Sequence, residues 1–238
     1  MKAIYYFFIC FIIFSSGYDR LVLGQNPMLS GPCEGQIKID STYLVEINQK
    51  LPKYKLRLRV YDDNCYNIYI FKENEKDTIQ VINYGFLGSS FLNDDFEILD
   101  ANFDGYLDLK IFEMSGNTTN KMYVFWLFNP QTGLFQFADK YSNSIGTNTY
   151  IDNENKEIRT GGFTGCAGGC FHFDTYRIIN GKRVLIKREY QELAENQPEG
   201  NNLTIYVRTL EELVNGKMVI TKQITGSFAE IEDQWDDN

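Results

Sequence analysis

The stretch that most constrains this chain is DANFDGYLDLKIF, Asp100 to Phe112. Side-chain oxygens recur at Asp100, Asn102, Asp104 and Asp108, with Gly105 where a tight loop calls for positive φ. The Tyr106 carbonyl fills the remaining place. Hard oxygen donors of this kind suit Ca²⁺ better than zinc or copper. The competing reading is a solvated acidic turn, because Asn, Asp and Gly are common turn formers. After the loop, Leu107, Leu109 and Ile111 alternate with Asp108, Lys110 and Phe112, the pattern of a half-buried strand. The segment is not an EF-hand. Its twelfth position is Ile111 instead of a bidentate Glu, and Phe96-Glu97-Ile98-Leu99 before it reads as strand or turn.

Strand patterns dominate the rest. Tyr43–Ile47, Lys55–Tyr61, Cys65–Phe71 and Thr78–Ile82 are separated by polar turns and predict an antiparallel meander. Residues 24 to 41 carry Pro27, Gly31, Pro32 and Gly35 and are expected to be a loose lead-in. Met122–Phe128 and Leu134–Phe137 flank the turn Asn129-Pro130-Gln131-Thr132-Gly133. Glycines from Gly161 to Gly169 are expected to break the next segment. Two hairpins follow, turning at Asn180-Gly181 and Asn215-Gly216, each a type I′ signal. The second joins Leu203–Thr209 to Met218–Ile224, and the acidic tail 233–238 is expected to fray. The richness in Tyr (16) and Phe (18) suits strands. No helix is predicted, and Glu192–Glu195 is at most a turn. The fold class is all-β, either a small propeller-like array of antiparallel hairpins or a β-sandwich.

The first residues read as a secretory signal. Lys2 precedes an apolar run from Ala3 to Phe14, followed by Ser15, Ser16 and Gly17. The run is too short to span a bilayer. Cleavage after Gly17 or Gly24 leaves one domain, residues 25–238 for the later site, with the acidic loop at 100–108. Export to the periplasm or beyond makes disulfides available. With Cys10 removed, Cys33, Cys65, Cys166 and Cys170 allow three pairings. The favoured one joins Cys33 to Cys65 and Cys166 to Cys170. A zinc reading of Cys166, Cys170 and His172 is weaker, because zinc prefers four ligands.

His172 is the single histidine, which removes most Ser-His-Asp and Cys-His schemes. Glycine-rich phosphate loops before a helix are absent from the sequence. The net charge of −9 argues against phosphate-backbone binding, so no nucleic-acid partner is expected. The chain is expected not to be an enzyme.

Four stretches carry a family resemblance: FEILDANFDGYLDLKI, YVFWLFNPQTGLFQF, GGFTGCAGGC and YRIINGKRVLIKREYQ. Their order resembles exported bacterial proteins with one integrin-like calcium loop and a β-propeller-like fold. Characterised members inhibit peptidoglycan hydrolases of the lysozyme type or act as immunity proteins against them. The resemblance implies a bound Ca²⁺, a lysozyme-like partner, and a Ser-Gly loop presented to that partner's cleft. Here Ser115-Gly116 follows the loop strand, with Lys121 and Tyr123 beyond it. A plain solvated hairpin is the other reading of Ser115–Asn120. The rival function is a calcium-stabilised envelope adhesion or glycan-binding module without catalysis.

Overall fold

A computed structural model describes residues 22–23, 33–86, 95–116, 120–198 and 203–235. The signal segment, Cys10, Asp94 and the centre of the 115–120 loop lie outside them. Among the described residues the protein is all-β, with three sheets, antiparallel but for one parallel pair, and two short α-helices. The sheets are open and hold five, four and six strands, a layered, sandwich-like arrangement in place of equal propeller blades.

The first sheet has the order β1-β5-β4-β3-β2. Its strands are β1 (Val22–Leu23), β2 (Ile37–Val45), β3 (Tyr54–Tyr61), β4 (Cys65–Lys72) and β5 (Gln80–Gly85). β1 pairs with β5 in parallel, and the other neighbours are antiparallel. The expected meander is present. However, β2 begins inside the supposed lead-in, because Asp40 lies opposite Arg59 and ion-pairs with Arg57 at 2.6 Å.

The second sheet runs β6-β7-β8-β9. It comprises β6 (Phe96–Leu99), β7 (Asp108–Ser115), β8 (Lys121–Asn129) and β9 (Leu134–Phe137). It lies between the other two layers. Gln80 in β5 bonds both backbone groups of Phe135 in β9, at 2.7 and 2.9 Å. Tyr54–Phe128, Tyr84–Phe137 and Phe86–Phe112 ring contacts fill the same junction. The opposite face packs on α1 (Asp139–Ile145), where Phe125 meets Tyr141 edge to face at 5.3 Å. Consequently β7 is not the half-buried strand its alternation predicts. Asp108 through Phe112 are all buried, so the polar positions must find partners inside. Lys110 does so, donating to Glu97 and to the Thr149 carbonyl at 2.7 Å each.

The third sheet runs in chain order through β10 (Tyr150–Asp152), β11 (Glu157–Gly165), β12 (Cys170–Ile179), β13 (Lys182–Leu193), β14 (Tyr206–Val214) and β15 (Lys217–Gly226). Both Asn-Gly turns have positive φ at both positions, as a type I′ turn requires. The glycine-rich stretch does not break β11. A Cβ on Gly161 would lie 2.0 Å from the His172 carbonyl oxygen, so glycine permits the close approach of β11 to β12. The chain leaves the strand later, in a 3₁₀ turn over Cys166–Gly168.

Two helices correct the strand-only expectation. In α1, buried Ser142 and Ile145 face the core. The tail is ordered through α2 (Phe228–Trp235), where residues 233–235 were expected to fray. A reciprocal cap starts it: Glu230 accepts from the Ser227 amide at 2.8 Å, while Ser227 Oγ accepts from the Glu230 amide at 3.4 Å. The Ser-x-x-Glu spacing was legible in the sequence and marks a helix start.

Candidate metal centre and hairpin tip

Local geometry in the acidic loop follows from its short side chains. Asp100 accepts the amides of Asp104 and Gly105, at 3.1 and 2.9 Å. Asn102 accepts the Asp104 amide at 3.0 Å, and Asp104 accepts the Tyr106 amide at 2.9 Å. These bonds curl the backbone in the manner of Asx turns. Gly105 has the positive φ expected of it, 88°, and Phe103 shares that region at 61°.

The loop is tied to two sheets. Asn48 donates to the Gly105 carbonyl at 2.7 Å, and the Leu107 amide donates to Ile47 at 3.0 Å, both in the turn after β2. Asp108 is fully buried at the start of β7 and accepts the Ala101 amide at 3.0 Å and the Phe128 amide at 2.8 Å. Tyr106 stacks on Phe128, with ring centres 5.8 Å apart. Tyr141 of α1 donates its hydroxyl to the Ala101 carbonyl.

Burial pushes the Asp108 carboxyl up to about 7, against the pull of its two amide donors, and the charges of Asp104 and Asp100 push the same way. Burial also raises Asp100, with Asp104 adding to it. Asp100, Asp104 and Asp108 therefore lie close enough for their charges to be felt by one another. Their chemistry fits a hard divalent cation, and each oxygen keeps acceptor capacity beyond its amide bond. Among the described residues no three acidic, His or Cys side chains converge to ligating geometry. Asn102 Nδ2 instead bonds Asp104 at 3.0 Å.

At the far end of β7 the chain turns toward β8. β7 has eight residues, so roughly 25 Å of strand separates tip from loop. Ser115 is exposed and lies opposite Lys121. The tip is braced from below. The Gly116 amide donates to the Asn120 carbonyl at 2.7 Å. Asn120 bonds both backbone groups of Phe163 in β11, at 2.9 and 3.0 Å. Asn148 donates to the Asn120 side-chain oxygen at 2.9 Å and accepts the Lys121 amide at 2.7 Å.

Two residues assigned to the partner surface from sequence have other positions. Tyr123 is buried against Phe112, with the Lys110 ammonium 4.1 Å from its ring centre. Lys121 is committed to Asp95 at 2.7 Å. Asp95 is buried. Asn120 and Asn148 carry no signal in the sequence, because a bracing amide looks like any loop Asn until its partners are known.

The two disulfides join Cys33 to Cys65 and Cys166 to Cys170, the favoured pairing. The pairing leaves no thiolate there for zinc. His172 lies in β12, 3.1 Å from Asp174 and stacked on Tyr190. Two disulfides fit an extracytoplasmic protein. Among the described residues no helix is long and apolar enough to cross a membrane.

No family model matches the chain, and no curated protein does. Among solved structures it is similar to a Xanthomonas type IV secretion system related protein, at 17% identity and TM-score 0.44, covering 78% of this chain and 100% of that one. A similarity of that extent assigns no function.

Proposed function

We propose that this is an exported calcium-binding protein, without catalysis of its own, that binds and blocks a peptidoglycan hydrolase of the lysozyme type. The observation that carries the reading is the β7–β8 hairpin. It begins in a loop of clustered carboxylates and ends at exposed Ser115 and half-buried Gly116, braced by Asn120 and Asn148. In this reading Ca²⁺ is held by Asp100, Asn102, Asp104, Asp108 and the Tyr106 carbonyl. It offsets the burial, and the smaller mutual repulsion, that raise Asp108 and Asp100. The pinned loop fixes the start of β7, and the braced tip enters the target's cleft with little loop entropy left to lose. The Ser115 hydroxyl and the tip amides donate to the target's acidic catalytic residues. Lys121 holds the tip through Asp95, so its role is positioning. The net charge of −9 speeds encounter with a cationic hydrolase and makes inhibition weaken as salt rises.

The test is lysis of labelled peptidoglycan by a panel of lysozymes. The parent protein slows at least one of them. Gly116→Trp loses that inhibition while its melting temperature stays unchanged, since among the described residues a Cβ at Gly116 meets nothing closer than 3.7 Å. A parent that slows none of the panel overturns the reading, and an unimpaired Gly116→Trp overturns the tip assignment.

A further inference from the structure

The outer face of the third sheet carries a half-open cleft of about 290 Å³ that has no part in the hairpin or the acidic loop. The register explains its shape. Tyr150, Arg159, Thr175 and Lys187 are successive cross-strand partners on β10, β11, β12 and β13, so they form one row across the sheet. Phe173 and Glu189 form the next row along the same strands, two residues on, and Asp152 and Glu157 close the other side.

The charges in this cleft are not equally available. Glu157 is held by Arg177 and Glu189 by Arg208, the latter at 2.6 Å. Asp152 caps its own turn, accepting the amides of Glu154 and Asn155 at 2.9 and 3.0 Å, which with the Asn155 side chain keeps its carboxyl below the usual range. The cations are less committed. Arg159 is 3.8 Å from Glu189 and about half exposed, and its guanidinium lies 4.5 Å from the Phe173 ring centre. Lys187, Thr175 and Tyr150 make no side-chain hydrogen bond or ion pair among the described residues. Tyr150 is 66% exposed, a large aromatic surface left in water. The cleft thus combines one unpartnered cation, Lys187, and one loosely paired one, Arg159, with two hydroxyls and two aromatic rings within one small volume.

We infer that this cleft binds a carboxylated sugar. The guanidinium of Arg159 offers a fork for the carboxylate, with the Lys187 ammonium as a second cation. Tyr150 and Phe173 offer flat apolar surface to the face of a sugar ring. Thr175 and the rim oxygens of Asp152 and Glu157 take its hydroxyls. The volume lies at the small end for ligand sites and suits one or two rings. A simple anion would use the cations and leave the aromatic rings idle. A neutral sugar would use the rings and leave both cations unmatched.

The experiment is calorimetric or NMR titration of the intact protein with glucuronic acid disaccharides, beside glucose disaccharides, acetate and inorganic phosphate. The expected result is saturable binding of the carboxylated sugar, weakened by salt. It should be at least about tenfold tighter than the neutral sugar or acetate, the worth of one charge-assisted hydrogen bond. Lys187→Met and Tyr150→Ala each weaken it by a similar factor and leave the melting temperature in place. NMR shifts should fall on Tyr150, Thr175 and Lys187. Equal binding of acetate or phosphate, equal binding of the neutral sugar, absence of binding, or indifference to both substitutions overturns the inference. None of these readouts involves a hydrolase, so the outcome is separate from the inhibition test.

Discussion

Asp108 and Phe128 are joined by a 2.8 Å hydrogen bond from a backbone amide in β8 to a fully buried carboxylate in β7, twenty residues earlier. The other oxygen takes the Ala101 amide. One side chain thus closes the acidic loop and docks it on the neighbouring strand. Asp108→Ala leaves two buried amides without this acceptor, at roughly 1–3 kcal/mol each, partly offset by removal of a buried carboxyl. A loss of about 2–4 kcal/mol in urea unfolding is expected. A loss below about 1 kcal/mol would mean water replaces the carboxylate.

Calcium should stabilise the protein by mass action. Chelator lowers the melting temperature of the parent, and Asp104→Ala, an exposed position, removes the sensitivity. A melting curve unmoved by excess chelator would rule out the ion.

The two disulfides should differ in weight. The chain-entropy relation gives about 3.7 kcal/mol for Cys33–Cys65, whose partners are 32 residues apart, and about 1.9 kcal/mol for Cys166–Cys170, separated by 4. Paired Cys→Ala variants in chemical denaturation test the order. A larger loss from the short ring would reverse it.

Lys121→Met should cost about 1–3 kcal/mol. The change removes the ammonium beside Asp95, which is 1% exposed, while Lys121 itself keeps 34% exposure and some screening. Reduced inhibition with intact calcium binding would mark its positioning role.

Acid stability should depend on Asp174. Burial alone would raise its carboxyl, but Arg188, with help from Tyr176 and His172, outweighs it and holds it below the usual range. A depressed folded value stabilises the protein above the ordinary carboxylate pKa of about 4, and the contribution disappears as pH falls through the folded value. The stability gap between parent and Asp174→Asn, measured by urea unfolding, should therefore shrink as pH falls below about 4. A constant gap would assign Asp174 a role independent of its charge.

Much of the local structure was written in neighbouring residues. The Asn-Gly hairpins, the positive φ at Gly105 and the alternation of β3 depend on a few adjacent side chains and the backbone, so they survive any tertiary context. The cysteine pairing was legible for a related reason, since few combinations exist. Which faces are covered was decided by the tertiary structure. β7 alternates like a half-exposed strand, yet Asp108 and Lys110 are buried because layers press on both sides. Tertiary packing likewise turned Tyr123 and Lys121 from surface contacts into core and brace, and placed residues 233–235 in a helix beside the third sheet. The cleft at Tyr150, Arg159, Thr175 and Lys187 had no local signature at all. Its residues lie on four strands, and only the sheet register brings them into one row.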